Sequence, residues 1–371
     1  MSEWKETTLG EICLKITDGA HHSPKEFDGG KPMFSVKNMR DQGFDYNGVK
    51  TISDEDFVKL VNSGCQPQKD DILIAKDGSV MKHIFRVKGD IDYVLLSSIA
   101  IVRPDKSKVN PSYLVYAIKD PSTTDLILNN FVGGSGVPRI VLKDFKKVDL
   151  TIPSIETQKS IASILSSLDD KIDLLHRQNA TLEKMAETLF RQWFIEDAKE
   201  EWEIAKMESL ISIGSGKGLK KESFIENGLY PILGANGEIG RTNEFIFDEK
   251  LIYTGRVGTL GNIFRIENEK VWLSDNTLVI KPLGFFNFIY FTLKNSHLED
   301  YDVGSTQPLI RQSDIKEIEV VLPPIEILKE FESIANKVFQ KIKSNQTQIR
   351  TLTALRDTLL PKLMSGEIRV L

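Results

Sequence analysis

At 371 residues the chain exceeds a single compact core of ordinary size, so two or more domains are expected. Its 40% hydrophobic and 27% charged residues, with no apolar run of ~18 residues, exclude a membrane-spanning helix. The opening MSEWKETTLGEI lacks the basic-then-apolar pattern of a secretory signal, which sets a cytoplasmic location as the expectation. Cys13 and Cys65, the only cysteines, are too few and too far apart for a disulfide framework or a Cys-rich zinc site. The net charge of -5 is spread without a basic tail: Lys+Arg against Asp+Glu count 21 and 21 over 1–150, 6 and 9 over 151–200, 13 and 18 over 201–322, and 8 and 5 over 323–371. Any basic surface must therefore be gathered by folding or completed by a partner.

Residues 1–152 read as a strand-rich module. DILIAKDG and YVLLSSIAIVRP are β-branched and bounded by Asp, Gly or Pro, NPSYLVYAIK at 110–119 is a short helix, and DGAHHSPKE and FVGGSGVPR are loops. At Pro153 the clause PSIETQKSIASIL opens a helix over 153–200. Proline suits the first turn, and Glu156 complements the positive end of the helix dipole. Beyond it Ile161, Leu165, Leu168, Ile172, Leu175, Asn179, Leu182, Ala186, Leu189 and Trp193 fall at alternating spacings of 4 and 3, an a/d seam. Such a helix is ~60 Å long at about 1.5 Å per residue and needs a partner along its length.

Residues 201–322 form a second strand-rich module, with KLIYTGRVG, TLVIKP and IEVVLP as strands, FFNFIYFTLK at 285–294 as a helix, and GSGKG, GANGEIGR and TGRVGTLGN as loops. PPIEILKEFESIA then opens a second helix over 323–371, whose seam runs Val338, Ile342, Asn345, Ile349, Leu352, Arg356 and Leu359.

The second half is a copy of the first. At an offset of 170, Pro138 falls on Pro308, Ile140 on Ile310, Asp144 on Asp314 and Pro153 on Pro323, and the register holds to Thr188-Leu189 against Thr358-Leu359. LSSIAIVRP at 96–104 matches SDNTLVIKP at 274–282, and EWKETTLGEI matches EWEIAKMESL. The unit is thus a module plus a long helix, duplicated rather than repeated as a solenoid. Trp202 follows Leu189, whereas the counterpart of Trp202 beyond Leu359 is Trp4, so the two termini are expected to meet beside the first module. A lone polar residue in an apolar seam is costly unless it meets another. If Asn179 faces Asn345, the helices run antiparallel with Ile172 by Leu352, Leu175 by Ile349, Leu182 by Ile342 and Ala186 by Val338. The alternative places either Asn at the solvated margin.

No enzyme motif survives inspection. ISIGSGKGLKK lacks the first glycine and the Ser/Thr of a P-loop, having Ile211 and Gly218 there. No dinucleotide fingerprint or G-x-S-x-G elbow is present, and Pro104-Asp105 has no Glu-x-Lys after it. The five histidines form no metal-ligand spacing, and His21-His22 reads as a loop feature. The expectation is a non-catalytic protein that binds no metal.

The duplicated modules, the twice-written Pro-x-x-E clause, LEKMAETLFRQWF, YPILGANGEIG, GSTQPLIRQSDIKEIEVVLPPIE and the closing LLPKLMSGEI together resemble, over essentially the whole length, the specificity subunit of type I restriction-modification systems. The resemblance implies an α+β fold of two pseudo-symmetric α/β target-recognition domains, 1–152 and 201–322, separated by two long antiparallel coiled-coil helices, 153–200 and 323–371. It implies that each domain reads one half of a bipartite double-stranded DNA site, while the helices act as a spacer and dock two methyltransferase subunits and the restriction/translocase subunits. S-adenosylmethionine, ATP and Mg then belong to those partners, and this chain binds no cofactor. The family's usual Glu-Gln after the clause appears as Glu156-Thr157-Gln158 and as Glu326-Ile327-Leu328, so a position touching a partner would bind it unequally in the two halves. The alternatives are a stand-alone duplicated DNA-binding protein, which needs no such seam, and a coiled-coil scaffold, which leaves the matching Gly-rich loops unexplained.

Readout of base edges takes Arg or Lys for guanine and Asn or Gln for adenine, with Lys, Ser and Thr on phosphates. The candidates are Lys37, Asn38, Lys76, Ser79, Ser97, Ser98 and Arg139 in the first domain, and Lys217, Lys220, Lys221, Asn236, Arg241, Arg256, Asn276, Thr306, Gln307 and Arg311 in the second. Gly78 with Gly258, and Ser98 with Asn276, are equivalent in the internal alignment. The two domains differ outside their framework and should read different half-sites.

Overall fold

The computed structural model describes residues 4–134, 136–258, 260–301 and 308–370. The chain divides into two compact units, Met1–Leu174 with Gln348–Leu371, and Leu175–Thr347. The boundaries fall inside the two long helices, Ile155–Arg191 and Ile325–Met364, so each helix lends part of its length to each unit.

Each unit is built on one plan. In the first, an antiparallel sheet runs in the order Cys13–Asp18, Ile99–Pro104, Ile72–Ala75, Ile84–Arg86. In the second the order is Ile211–Ser215, Thr277–Pro282, Leu251–Gly255, Ile263–Ile266. The two strands buried at the centre of each sheet are the near-continuous apolar runs of the sequence, ILIA with IAIVRP and LIYTG with TLVIKP. The strand that opens each module pairs antiparallel with the strand that closes it, Lys5–Thr8 with Asp149–Ile152 and Glu203–Lys206 with Glu319–Leu322. GANGEIGR, read as a loop, is instead a hairpin turn and its second strand, Gly237–Thr242 against Tyr230–Gly234.

One face of each central sheet is closed by a short helix, Pro111–Lys119 or Phe286–Lys294, and by parts of both long helices. In the first unit Ile161 and Leu165 join Leu360 and Leu363 in one core with Tyr113 and Phe145. Trp4 lies in the same assembly, its indole against Gly366, so the two ends of the chain meet here. In the second unit Ala186, Phe190 and Phe194 join Phe331 and Ala335, with the Phe194 and Phe331 rings edge to face at 5.0 Å.

Within the second unit the long helices are antiparallel, because Asn179 meets Asn345 while Phe190 lies 5.9 Å from Phe331. Asn345 is fully buried, and its Nδ2 donates to Asn179 Oδ1 at 2.8 Å and to Gln178 Oε1 at 2.9 Å. Along the seam Ile172, Leu175 and Ala186 are buried, whereas Leu168, Leu182, Leu189, Val338, Ile342, Ile349, Leu352 and Leu359 are half-buried. Arg356, the charged position of the seam, is half-buried, and within the first unit its Nη1 donates to Asp169 Oδ1 at 2.8 Å.

The repeated clause does its work inside each unit. Pro153 and Pro323 are buried and precede the first helical residue by two positions rather than lying in the first turn. Gln158, 1% exposed, accepts from the Asn110 amide at 2.8 Å and donates to the Pro153 carbonyl at 2.9 Å. Its amide is consumed at the start of the short helix, so it offers nothing to a partner subunit. The second copy has buried Leu328 there, and Glu332, one turn on, takes over, accepting from the Phe288 amide at 2.9 Å and from Asn287 Nδ2 at 2.8 Å.

Two outcomes are expected in chemical denaturation. Gln158→Leu strands a buried amide and costs about 1–3 kcal/mol. Asn345→Leu costs a similar ~1–3 kcal/mol, and Asn179→Ile combined with it restores stability, since the offset-170 counterparts of these positions are Leu175 and Ile349.

Candidate nucleic-acid interface

In the first unit the central strand Ile72–Ala75 runs into the turn Lys76-Asp77-Gly78-Ser79, which the backbone pins from two sides. The Lys76 amide donates to Ser98 O at 2.9 Å, the Gly78 amide to Pro138 O at 2.8 Å, and the Ile140 amide to Lys76 O at 3.0 Å. Gly78 adopts φ +73°, a conformation a side chain rarely takes. Ser98 Oγ accepts from the Val36 amide at 3.1 Å and so ties the turn Val36–Asn38 to the same end of the sheet. Folding thereby collects Lys37, Asn38, Lys76, Ser79, Ser97, Ser98 and Arg139, which are spread over a hundred residues of sequence.

They are not equally available. Lys37, Ser79 and Arg139 are exposed. Asn38 Oδ1 is engaged by the amide and hydroxyl of Ser35 at 3.1 and 3.2 Å. Lys76 is 5% exposed, with its Nζ 3.0 Å from Asp18 and 3.5 Å from Asp77, so it is withdrawn from the surface, contrary to its place among the DNA-reading candidates. His21, read from the sequence as a loop feature, lies at this same end, its exposed ring meeting Asp18 Oδ1 at 3.2 Å.

The second unit repeats the frame. The Arg256 amide donates to Asn276 O at 2.8 Å, the Gly258 amide to Pro308 O at 3.0 Å, and the Ile310 amide to Arg256 O at 3.0 Å, with Gly258 at φ +87°. Lys217, held by its amide on Leu273 O at 2.8 Å, joins Arg256, Asn276 and Arg311, all exposed. Gln312, absent from the candidates, donates to Ser215 Oγ at 3.1 Å beside them. Lys220 and Lys221 are exposed on the following segment, and Asn236, at the hairpin tip, accepts from Asn262 at 2.9 Å. Arg241 is a brace at the other end of the hairpin. Its guanidinium donates to Gly228 O at 2.8 Å, Leu229 O at 3.1 Å and Glu238 at 3.1 Å, which leaves it little to offer a base. Thr306 and Gln307 lie outside the described residues.

The end of the first strand is pressed against the frame in both units. A Cβ on Gly19 would lie 2.1 Å from Leu95 O, and one on Gly216 would lie 2.1 Å from Ser274 O. Among the described residues no group of three or more His, Cys, Asp or Glu could hold a metal, and no helix is long and apolar enough to cross a membrane.

The two units thus carry one backbone frame dressed with different side chains. The family described as the type I restriction modification DNA specificity domain matches residues 1–184 and 199–354, once for each copy. The chain belongs to the type I restriction-modification specificity-subunit family. A similar protein is the type I restriction enzyme MjaIX specificity subunit of Methanocaldococcus jannaschii, 30% identical over 100% of this chain and 97% of its own length. The HindI specificity subunit of Haemophilus influenzae is 23% identical over 99% of this chain and 100% of its own length. The fold is similar to that of a crystallised type I restriction-modification S subunit from M. genitalium, with a TM-score of 0.63 at 18% identity over 98% of this chain and 96% of that one.

In this specificity-family chain Gly216→Ala should push back the segment carrying Asn276, costing about 1–3 kcal/mol. Gly214→Ala, with nothing within 4 Å of its Cβ, is the neighbouring control and should move the thermal midpoint far less.

Proposed function

We propose that this chain is a non-catalytic subunit that reads a bipartite double-stranded DNA target, one half-site per unit. The observation that carries the reading is the pinned turn written twice, as Lys76–Ser79 against Ser98 and Pro138 and as Arg256–Gly258 against Asn276 and Pro308. The backbone frame is held constant while the outward side chains change, which is what a pair of modules needs in order to present different donors in a groove. The long helices dock two methyltransferase subunits and the restriction/translocase subunits, and their length sets the gap between half-sites. S-adenosylmethionine, ATP and Mg are bound by those partners.

The reading fits the charge of the chain. A protein with a net charge of -5 binds phosphates only where folding gathers cations, and Lys217, Lys220, Lys221, Arg256 and Arg311 gather in the second unit. Partner subunits supply the rest of the clamp.

The test is co-expression with the methyltransferase subunit, with N6-methyladenine mapped across the host DNA at single-base resolution. A two-part motif with a fixed gap is expected, present only when both proteins are present. Exchange of residues 201–322 for those of another specificity subunit should replace one half of the motif and keep the other. A complex that forms without any methylated motif would leave the helices as a docking scaffold and end the recognition reading.

A further inference from the structure

We propose that the guanine-reading arginine sits on opposite sides of the same clamp in the two units: Arg139 in the first and Arg256 in the second. The assignment rests on the DNA-recognition reading above and names the residues that set its specificity.

The clamp is a single backbone bridge between the turn and the segment that follows the Gly-rich loop. Asp77 faces Arg139 across it in the first unit, and Val257 faces Leu309 in the second. The residue before the bridge is Lys76 in one unit and Arg256 in the other, and both make the same backbone bonds. Each unit therefore has two places from which a cation could point outward, the turn and the opposing segment.

Two carboxylates decide which place is used. In the first unit Asp18 and Asp77 lie 3.0 and 3.5 Å from Lys76 Nζ and hold it in the interior. Asp77 Oδ1 also lies 3.3 Å from Arg139 Nε, whose side chain is 60% exposed. This contact is an ion pair on the Nε side without hydrogen-bond geometry, and it leaves both terminal nitrogens for a fork, the geometry that pairs with guanine O6 and N7 in the major groove. In the second unit both acids are gone. Strand register places Ser215 where Asp18 stands, since Asp18 pairs with Ala100 and Ser215 with Leu278, and Val257 replaces Asp77. Arg256 is exposed, with no carboxylate partner among the described residues, and the opposing position is Leu309, an uncharged side chain. The fork has moved from one side of the bridge to the other. The cation at the turn is read in the second unit and neutralised in the first.

The surroundings follow the same division. Lys217 and Arg311 flank Arg256, while their counterparts around the first clamp are Ala20 and Val141; the acids beside this group are Asp275, next to Asn276, and Asp314, whose Oδ2 accepts from the Arg311 amide at 2.8 Å. The second unit thus gathers more positive charge about its fork than the first.

The experiment uses the full chain in complex with its methyltransferase subunits and a randomised duplex library, sequenced after binding. The wild-type complex should enrich a two-part motif with at least one guanine in each half. Arg256→Ala and Arg256→Lys should each lower the preference for one guanine in one half by about 10- to 100-fold and leave the other half unchanged. Arg139→Ala and Arg139→Lys should do the same in the other half. Lysine keeps the charge and loses the fork, so a lysine variant that retains the guanine preference overturns the assignment. So does an alanine variant whose binding falls evenly over all sequences, the signature of a phosphate contact. A wild-type complex that enriches no motif overturns the DNA-recognition reading itself and this assignment with it. Both arginines are exposed, and unchanged melting of each variant complex separates loss of readout from loss of fold.

Discussion

An amphipathic helix of 37 or 40 residues has an apolar face that no small module can cover along its whole length, and this constraint shapes the chain. Each long helix finds cover in two ways at once. One stretch of its face enters the core of a unit, as Ile161 and Leu165 do in the first and Phe331 and Ala335 in the second. Another stretch lies against the other helix, as Asn345 does against Gln178 and Asn179. The modules consequently cannot be cut free at the helix starts. Residues 153–174 and 348–371 are as much part of the first unit as its strands are.

Duplication fixes the frame but not the polar groups buried in it. At the offset of 170, Asp169 corresponds to Phe339 and Arg356 to Ala186. In the first unit the Asp169 carboxylate accepts from Tyr116 Oη and from Arg356, both at 2.8 Å. Burial, with the Asp169 carboxylate in second place, pushes the Tyr116 hydroxyl far above the ordinary tyrosine range, so it stays a neutral donor. The second unit has no carboxylate at the corresponding place on its helix. There the Arg265 guanidinium lies 3.2 Å from the centre of the Phe339 ring, and burial holds its pKa below that of an ordinary arginine. Gln158 and Glu332 are the same kind of pair, two side chains one helical turn apart in the alignment that each satisfy the start of a short helix. A buried polar group must find some partner, and which one it finds drifted after duplication.

That drift explains what could and could not be read from the sequence. The duplicated order of elements was legible because apolar periodicity and the proline-led clause survive in both copies, and the Asn179–Asn345 meeting was legible because two polar residues interrupt otherwise apolar seams. The equivalence of Ser98 with Asn276 followed from alignment alone, and both carbonyls accept from the turn as equivalence requires. The state of Lys76 was hidden, since Asp18 is 58 positions away and comes beside it only through strand register. Arg241 looked like its exposed neighbours, but its guanidinium is spent on backbone carbonyls that no local pattern announces. GANGEIGR misled because glycine reads as loop, whereas here Gly237, at φ +106°, starts the returning strand of a hairpin.

The same reasoning bears on how an acidic chain can present a cationic face. Charge counted along the sequence is blind to pairing. In the first unit Lys76, Arg86 and Arg103 are each matched to carboxylates of their own module, at 3.0, 2.6 and 2.8 Å, and so add little to the outward field. In the second unit the acids are displaced from the clamp, and the cations there point to solvent. Recognition in such a scaffold can evolve through the acids as readily as through the bases. The two units show the same backbone bridge with both acids present, Asp18 and Asp77, and with both replaced, by Ser215 and Val257, so the acids can change while the backbone that presents the cations stays the same.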